Sequence, residues 1–243
     1  MLQPVLVAHP DGDLGLPQLG APLDLEALVP GAGEWEVEIG FGKGRYLLQR
    51  AREDEGRRFL GIEVASKYCR LLVRRGRRRQ LANLLAFRAE AVYLMAAVLP
   101  RAFASAVHIY FPDPWPKTRH RKRRLLDAES VDLLLGLLRP GGRLFFATDF
   151  LEYGERVREL LEAHPQLRVD VVEGLWPEGP RTNYEAKYVR EGRPILRLVA
   201  TLTEQAPAPH LHPAGAAGIL VALARKTDEQ AIQEGALEAS LSP

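Results

Sequence analysis

From Trp35 to Leu202 short apolar runs of strand length alternate with segments of helical period, and no other feature restricts the possible folds as tightly. Trp35-Glu-Val-Glu-Ile39 alternates as a strand, and Arg45 to Ala51, with Tyr46, Leu47 and Leu48, reads as a helix. Phe59 to Ile62 is the second strand, followed by a helix from Ser66 to Arg75 whose inner face carries Tyr68, Leu71 and Leu72. Leu84 to Ala89, Ala106 to Tyr110, Arg143 to Thr148, Val169 to Val172 and Ile195 to Leu202 complete a set of seven strands. Helices are expected over Ala91 to Leu99, Ala128 to Leu138 and Glu152 to Ala163, with Pro140-Gly-Gly142 acting as a helix stop and turn. Such alternation with right-handed crossovers predicts an α/β fold built on a doubly wound, mostly parallel seven-stranded sheet.

The chain is long enough, at 243 residues and 47% hydrophobic, for one domain with extensions. Residues 1–33 read as a Pro- and Gly-rich irregular arm, 34–204 as the domain, and 205–243 as an Ala- and Pro-rich extension. That extension has an apolar patch at Ile219 to Leu223 and a cap-box helix signal from Thr227 to Gln230 onward. The single cysteine, Cys69, excludes a disulfide within the chain, and no Cys/His cluster has metal-ligand spacing, so no metal is expected. Neither a signal segment nor an uncharged apolar stretch of spanning length is present, which makes a cytoplasmic protein without a membrane partner the expectation.

In doubly wound sheets ligands bind beyond the carboxyl ends of the strands, where strand order reverses. Glu38, Glu63, Glu90, Asp113 and Asp149 each stand at or just past the end of one of the first five strands. Glu38-Ile-Gly-Phe-Gly-Lys-Gly44 joins the first strand to the first helix, so Gly40, Gly42 and Gly44 let backbone approach a ligand at a helix N-terminus. A dinucleotide turn would want a glycine at position 45, which is Arg45. The GxGxG spacing with an acid two residues before it suits S-adenosyl-L-methionine, whose amino group and sulfonium a carboxylate offsets. Glu63 is placed to accept from ribose hydroxyls and Glu90 from the adenine amine.

Residues 111–124, Phe-Pro-Asp-Pro-Trp-Pro-Lys-Thr-Arg-His-Arg-Lys-Arg-Arg, set a proline-locked acid and an indole ahead of a block with six Lys or Arg in eight positions. Three prolines in five residues exclude helix and central strand there, and so many cations cannot be desolvated unpaired. Residues 57–124 carry 17 Lys/Arg against 3 Asp/Glu, whereas 1–56 carry 4 against 10 and 125–243 carry 12 against 18. A second cluster, Arg74-Arg-Gly-Arg-Arg-Arg79, lies in the same middle segment. This density fits neutralisation of several phosphates, the bland competitor being a solvated Arg-rich surface of thermophile type.

Taken together, Glu-Ile-Gly-Phe-Gly-Lys-Gly (38–44), Gly-Ile-Glu-Val (61–64), the 111–124 motif, Thr-Asp (148–149) and Thr-Asn-Tyr-Glu-Ala-Lys-Tyr (182–188) are similar to the bacterial tRNA (guanine-N7-)-methyltransferase family over about residues 34–202. The resemblance implies a Rossmann-like class I methyltransferase fold, adenosylmethionine as donor, tRNA as partner, and guanine 46 of the tRNA variable loop as acceptor; it leaves the oligomeric state open. It implies donor-binding roles for Glu38, Glu63 and Asp113, with Asp113 also the catalytic aspartate. Lys117, Asp149 and Thr182, Asn183, Tyr184 and Glu185 match substrate-binding positions. Arg119, His120, Arg121, Lys122, Arg123 and Arg124 match an RNA-contacting segment. Where the family has Asp before Ala after the third strand, this chain has Glu90, one methylene longer.

Guanine N7 has a lone pair and no proton to lose, so its methylation is an in-line displacement in which alignment supplies much of the rate. The product ring is cationic, and Asp113, fixed between Pro112 and Pro114, is the carboxylate best placed to stabilise it. Asp149 or Glu185 can accept from the paired N–H donors of the guanine edge, while Asp149 can equally cap the helix beginning near Glu152. Trp115 either stacks on a base or packs the loop, His120 reads as an RNA-facing or structural ring rather than a base, and Tyr184 and Tyr188 can be core aromatics. Two rival functions are an amino-group nucleic-acid methyltransferase, which Asp113-Pro-Trp-Pro116 loosely echoes, and a non-catalytic RNA-binding protein on the same scaffold.

Overall fold

The computed structural model describes residues 6–9, 12–14 and 23–203. Nine strands form one sheet: β1 (Leu6–His9), β2 (Gly12–Leu14), β3 (Trp35–Ile39), β4 (Arg58–Glu63), β5 (Leu84–Arg88), β6 (Ala104–Tyr110), β7 (Leu138–Thr148), β8 (Leu167–Val171) and β9 (Leu196–Leu202). The helices are α1 (Leu25–Leu28), α2 (Arg45–Glu53), α3 (Ser66–Arg78), α4 (Ala91–Ala97), α5 (Ala128–Leu137), α6 (Leu151–Glu162) and α7 (Asn183–Arg190), with a 3-10 turn at Thr118–Arg123. Strand order is β2-β1-β5-β4-β3-β6-β7-β9-β8. The expected seven strands are β3 to β9, five of them paired in parallel and β9 inserted antiparallel between β7 and β8.

The sheet separates two apolar layers. Val37, Ile39, Leu60, Ile62, Val107 and Ile109 pack with α4, α5 and α6 into the main core. Phe59, Leu84 and Ala86 meet Leu47, Leu48, Cys69 and Leu72 from α2 and α3 on the other face. Because β3 is central and covered on both faces, all five of its residues are buried, including Glu36 and Glu38 on the α2 side. The alternation of Trp35 to Ile39 therefore does not mark a solvated face: its two acids point into protein.

Two expectations are corrected. The segment read as an irregular arm contributes β1 and β2, with β1 pairing antiparallel to β5 and β2 to β1. The backbone groups that β5 would otherwise leave open supply the partners, so pairing at a sheet edge, not local hydrophobic pattern, makes these strands. Pro140-Gly-Gly142 lies inside β7 rather than between elements, at a bulge where the register jumps from Ala104 opposite Leu138 to Ala106 opposite Arg143. The boundary expected at 205, the apolar patch at Ile219 to Leu223 and the helix signal at Thr227 lie outside the described residues. No helix among the described residues is long and apolar enough to cross a membrane.

Candidate active site

At the carboxyl ends of β3, β4, β5 and β6 lies a cavity of about 1230 Å³. It falls where chain order reverses, between β3, whose next connection runs to β4 on one side, and β6, whose next connection runs to β7 on the other. Its floor is the turn after β3. Gly40, Gly42 and Gly44 have φ of +73°, +52° and +67°, a region that side-chain-bearing residues avoid. At Gly40 and Gly42 a Cβ would point into open space, whereas at Gly44 it would collide with Leu72 of α3. The first two glycines thus keep the floor bare and the third seats the turn against α3.

Glu63 fixes that floor. Its Oε2 accepts the Gly42 N–H at 3.0 Å and its Oε1 the Ala65 N–H at 2.9 Å. A carboxylate offers about four acceptor positions, so two remain for hydroxyl groups in the cavity. Glu38 lies deeper, 2% exposed, and its Oε2 has no hydrogen-bond partner among the described residues. Burial and the nearby Glu63 charge raise the Glu38 pKa well above the usual carboxyl value, while the Leu47 backbone N–H and the Arg181 guanidinium oppose the shift without cancelling it. The cavity therefore presents, beside a bare glycine turn, a buried carboxyl oxygen with hydrogen-bonding capacity unused among the described residues. Glu90 caps α4 by accepting the Tyr93 N–H at 2.9 Å and also lines the cavity.

The opposite rim is the loop after β6. Phe111 and Trp115 have φ of +53° and +39°, each an uncommon conformation costing about 1–3 kcal/mol for a non-glycine residue. Contacts around them hold it: Phe111 packs on Tyr184 and Tyr188 of α7, and Trp115 lies under the Arg123 guanidinium and against the edge of His120. Asp113, between the two strained residues, is exposed, lines the cavity and has no hydrogen-bond or ion-pair partner among the described residues. Trp115 therefore packs its own loop while also lining the cavity.

Across the mouth stands α7. Thr182 caps it by accepting the Glu185 N–H at 3.0 Å, and Asn183, Lys187 and Arg190, at helical spacing, line the cavity with Tyr184, which is 58% exposed and so no core aromatic. The helix was missed in the sequence although Thr182 and the 183/187/190 face were there to be read. Asp127, whose carboxylate and Ser130 hydroxyl form a reciprocal cap on α5, also lines the cavity and was not singled out.

Several expected site residues stand elsewhere. Glu185 is fully buried and outside the cavity: its Oε1 accepts from Arg197 Nε at 2.7 Å and its Oε2 from the Arg181 N–H at 2.7 Å. It cannot read a base in this arrangement, and the reason is that its helix faces the sheet on that side. Asp149 is half-buried outside the cavity, with Arg193 at 3.5 Å, and it does not cap α6, where Phe150 N–H bonds Thr148 Oγ1 instead. Arg124, expected on RNA, is 8% exposed under the loop, donating to the Pro114 carbonyl at 2.8 Å and lying over the Tyr153 ring. Arg121 pairs with Glu152 at 2.9 Å, Arg119 donates to His120 at 3.2 Å, and Lys117 is exposed at the start of the 3-10 turn. The Lys122 side chain lies outside the described part of the structure.

Behind α7 is a buried polar layer that sequence reading did not anticipate. Arg181 donates to Tyr110 Oη and to Glu178, both at 2.6 Å, and lies against the rings of Tyr46, Tyr110, Phe145 and Trp176. His108 Nδ1 bonds Tyr110 Oη at 2.8 Å, and Tyr46 Oη donates to Glu36 at 3.0 Å. Burial lowers the His108 pKa, favouring the neutral ring. Burial opposes ionisation of Glu36, but the hydrogen bonds from His108 and Tyr46 and the charge of Arg50 outweigh it and hold its pKa below the usual carboxyl range.

A family model described as "Putative methyltransferase" matches residues 33–198. A tRNA (guanine-N(7)-)-methyltransferase of Nitrosococcus oceani is 38% identical over 73% of this chain and 75% of its own length. The enzyme of the same name from Nitrosospira multiformis is 35% identical over 76% of this chain and 82% of its own. Among solved structures, the 16S rRNA methyltransferase KamB aligns with a TM-score of 0.56 at 15% identity, over 82% of this chain and 100% of that one, a likeness of fold.

Two outcomes follow from this geometry. Removing one partner of the buried Glu185–Arg197 pair leaves a charge unpaired, so Glu185→Ala should cost about 3–5 kcal/mol in urea unfolding, and adding Arg197→Met should recover most of it. Between the usual value of 4.5 and its raised folded value, Glu38 is protonated in the folded chain and ionised in the unfolded one. Its contribution to stability therefore falls as pH rises through that window, and unfolding curves of Glu38→Gln should show a stability advantage over the parent that grows in the same direction.

Proposed function

The chain belongs to the tRNA (guanine-N(7)-)-methyltransferase family and is an adenosylmethionine-dependent enzyme, and from that premise we propose that it methylates N7 of guanine 46 in the variable loop of tRNA, forming 7-methylguanosine. The observation that carries this reading is the buried, orphaned Glu38 oxygen beside the bare Gly40–Gly42 floor, with the partnerless Asp113 on the facing rim. When bound, S-adenosyl-L-methionine supplies an electrophilic methyl group on a sulfonium.

Glu38 takes the donor's amino group, a charge-assisted hydrogen bond worth about 1.5–3 kcal/mol. Glu63 accepts from the ribose hydroxyls with the lone pairs its two backbone bonds leave free, and Glu90 stands beyond β5 toward the adenine. Glu38 and Glu63 would hold the donor from two sides of the glycine turn, and its methyl group would supply the electrophile. N7 attacks with its lone pair, the carbon–sulfur bond breaks with its electrons left on sulfur, and no proton moves. His120 has nothing to abstract; it lies outside the cavity, and burial together with its cationic neighbours lowers its pKa.

What the residues contribute is alignment and charge. Positive charge grows on the guanine ring during transfer, and Asp113 offers a carboxylate with no partner among the described residues. Of the two acids considered for the guanine edge, Glu185 is committed to Arg197 and Arg181, and Asp149 stands outside the cavity beside Arg193. Tyr184, exposed at the mouth, supplies a face for a base taken out of its stack.

Incubation with methyl-labelled donor and tRNA, followed by nucleoside analysis, should put the label in 7-methylguanosine, and tRNA carrying adenine at position 46 should take none. Label in N6-methyladenosine would overturn the reading in favour of an amino-group methyltransferase. Asp113→Ala should lower turnover about 10²–10³-fold while tRNA affinity stays within a factor of two. Calorimetry with adenosylhomocysteine should show Glu38→Gln weakening binding about 10–100-fold.

A further inference from the structure

Outside the basic loop block, one face of α3 carries a stripe of exposed positive charge. Arg70, Arg74 and Arg78 recur at i, i+4 and i+8, which stacks them on one outward stripe, and all three are exposed, as is Arg79 at the helix end. The inner face of the same helix is Cys69, Leu72 and Gly76. Arg70 donates to Ser66 Oγ at 2.6 Å, and none of Arg70, Arg74, Arg78 or Arg79 has a carboxylate partner among the described residues.

Some other surface arginines are paired, while Arg45, Arg52 and Arg156 stand singly rather than in a stripe. Arg158 meets Glu155 and Glu162, Arg193 meets Asp149 and Glu191, and Arg57 meets Glu34, Glu36 and Asp54. A surface selected for thermal stability would place acids beside Arg70, Arg74 and Arg78 as well, and among the described residues no carboxylate pairs with them. Like charges one turn apart cost about 0.2–0.5 kcal/mol each. The helix dipole favours cations only in the last turn, which accounts for Arg78 but not for Arg70 or Arg74. A stripe that the fold does not need and that weakens its own helix points to an external polyanion.

Its position identifies which one. The residues just before α3, Glu63 to Ala65, and Tyr68 in its first turn line the cavity, while the basic loop lines it from the β6 side. From Arg70 to Arg78 the stripe runs about 12 Å away from the mouth. We infer that the Arg70/Arg74/Arg78 stripe of α3 is a second phosphate-binding surface, which holds the tRNA backbone on the side of the cavity opposite the 111–124 loop. This rests on the tRNA reading above. It also gives the 74–79 cluster a role separate from that of the loop block, where Arg121 is paired, Arg123 stacked and Arg124 buried.

The test is tRNA binding against salt for the full chain, the Arg70→Gln/Arg74→Gln/Arg78→Gln variant, and a charge-matched control, Arg139→Gln/Arg158→Gln/Arg168→Gln. The stripe variant should raise Kd at least about tenfold at ~150 mM salt and lower the log–log salt slope by about 2–3, and the control should do neither. KM for tRNA should rise with kcat held, and adenosylhomocysteine binding should be unchanged because no stripe residue lines the cavity. An unchanged slope and KM, an equal loss in the control, or a stripe that governs binding to vesicles of anionic lipid but not to tRNA would overturn the inference. The two readings fail separately. 7-Methylguanosine formed with a stripe-independent KM sinks the stripe alone, and stripe-dependent tRNA binding with label at another atom sinks the guanine-N7 reading alone.

Discussion

The reversal of strand order between β3 and β6 is the constraint on which the site depends. Right-handed crossovers carry the chain from β3 to β4 in one direction and from β6 to β7 in the other, so the loops after these two neighbouring strands part and leave a crevice. The glycine turn and the 111–124 loop are the two walls of that crevice. Their sequences have little in common, yet each departs from ordinary backbone at the point of divergence, with glycines at positive φ on one side and Phe111 and Trp115 at positive φ on the other. Strain on the second wall persists because α7 and the Arg123 and Arg124 guanidinium groups determine it from outside.

Two glutamates two residues apart on β3 show how burial is divided between structure and site. Glu36 accepts from Tyr46, lies near His108, Arg50 and Arg57, and is ionised at little cost. Glu38 has the same orientation and similar burial but one oxygen with no partner among the described residues. A fold optimised for stability alone would satisfy both. On the proposed reading the missing partner arrives with the ligand, and Arg181, whose charge acts on Glu38, is taken by Tyr110 and Glu178.

The seven strands and the helices α2 to α6 were legible in the sequence because their burial follows simple periods, and four of the five strand-end acids, Glu38, Glu63, Glu90 and Asp113, line one cavity, with Asp149 outside it. The glycine turn, expected to bring backbone to a ligand, forms a bare part of the cavity floor. What was not legible is which polar side chains point inward. Arg181, His108 and Tyr110 carry no local pattern that distinguishes them from surface residues, since their partners come from strands far apart in the chain. The misreading of Glu185 has the same origin: its motif names the helix but not the face, and the face is set by Arg197 on β9. Arg124 was counted with its cationic neighbours because adjacency in sequence says nothing of the turn that puts it under Pro114.

Charges of both signs line the cavity. Glu38 and Glu63 lie at the glycine turn, while Lys187 and Arg190 of α7 line the mouth and the exposed arginines of α3 lie outside it. On the proposed reading this ordering sorts a nucleotide into its parts: the acids of the interior disfavour phosphate, so the backbone stays with the cations of the mouth and the uncharged base enters. The same interior attracts a cationic donor. Transfer removes the sulfonium charge from the cofactor and places it on the base, which leaves the spent donor with a weaker claim on the carboxylates than the one that entered. Exchange of donor is thereby favoured by the electrostatics that first held it.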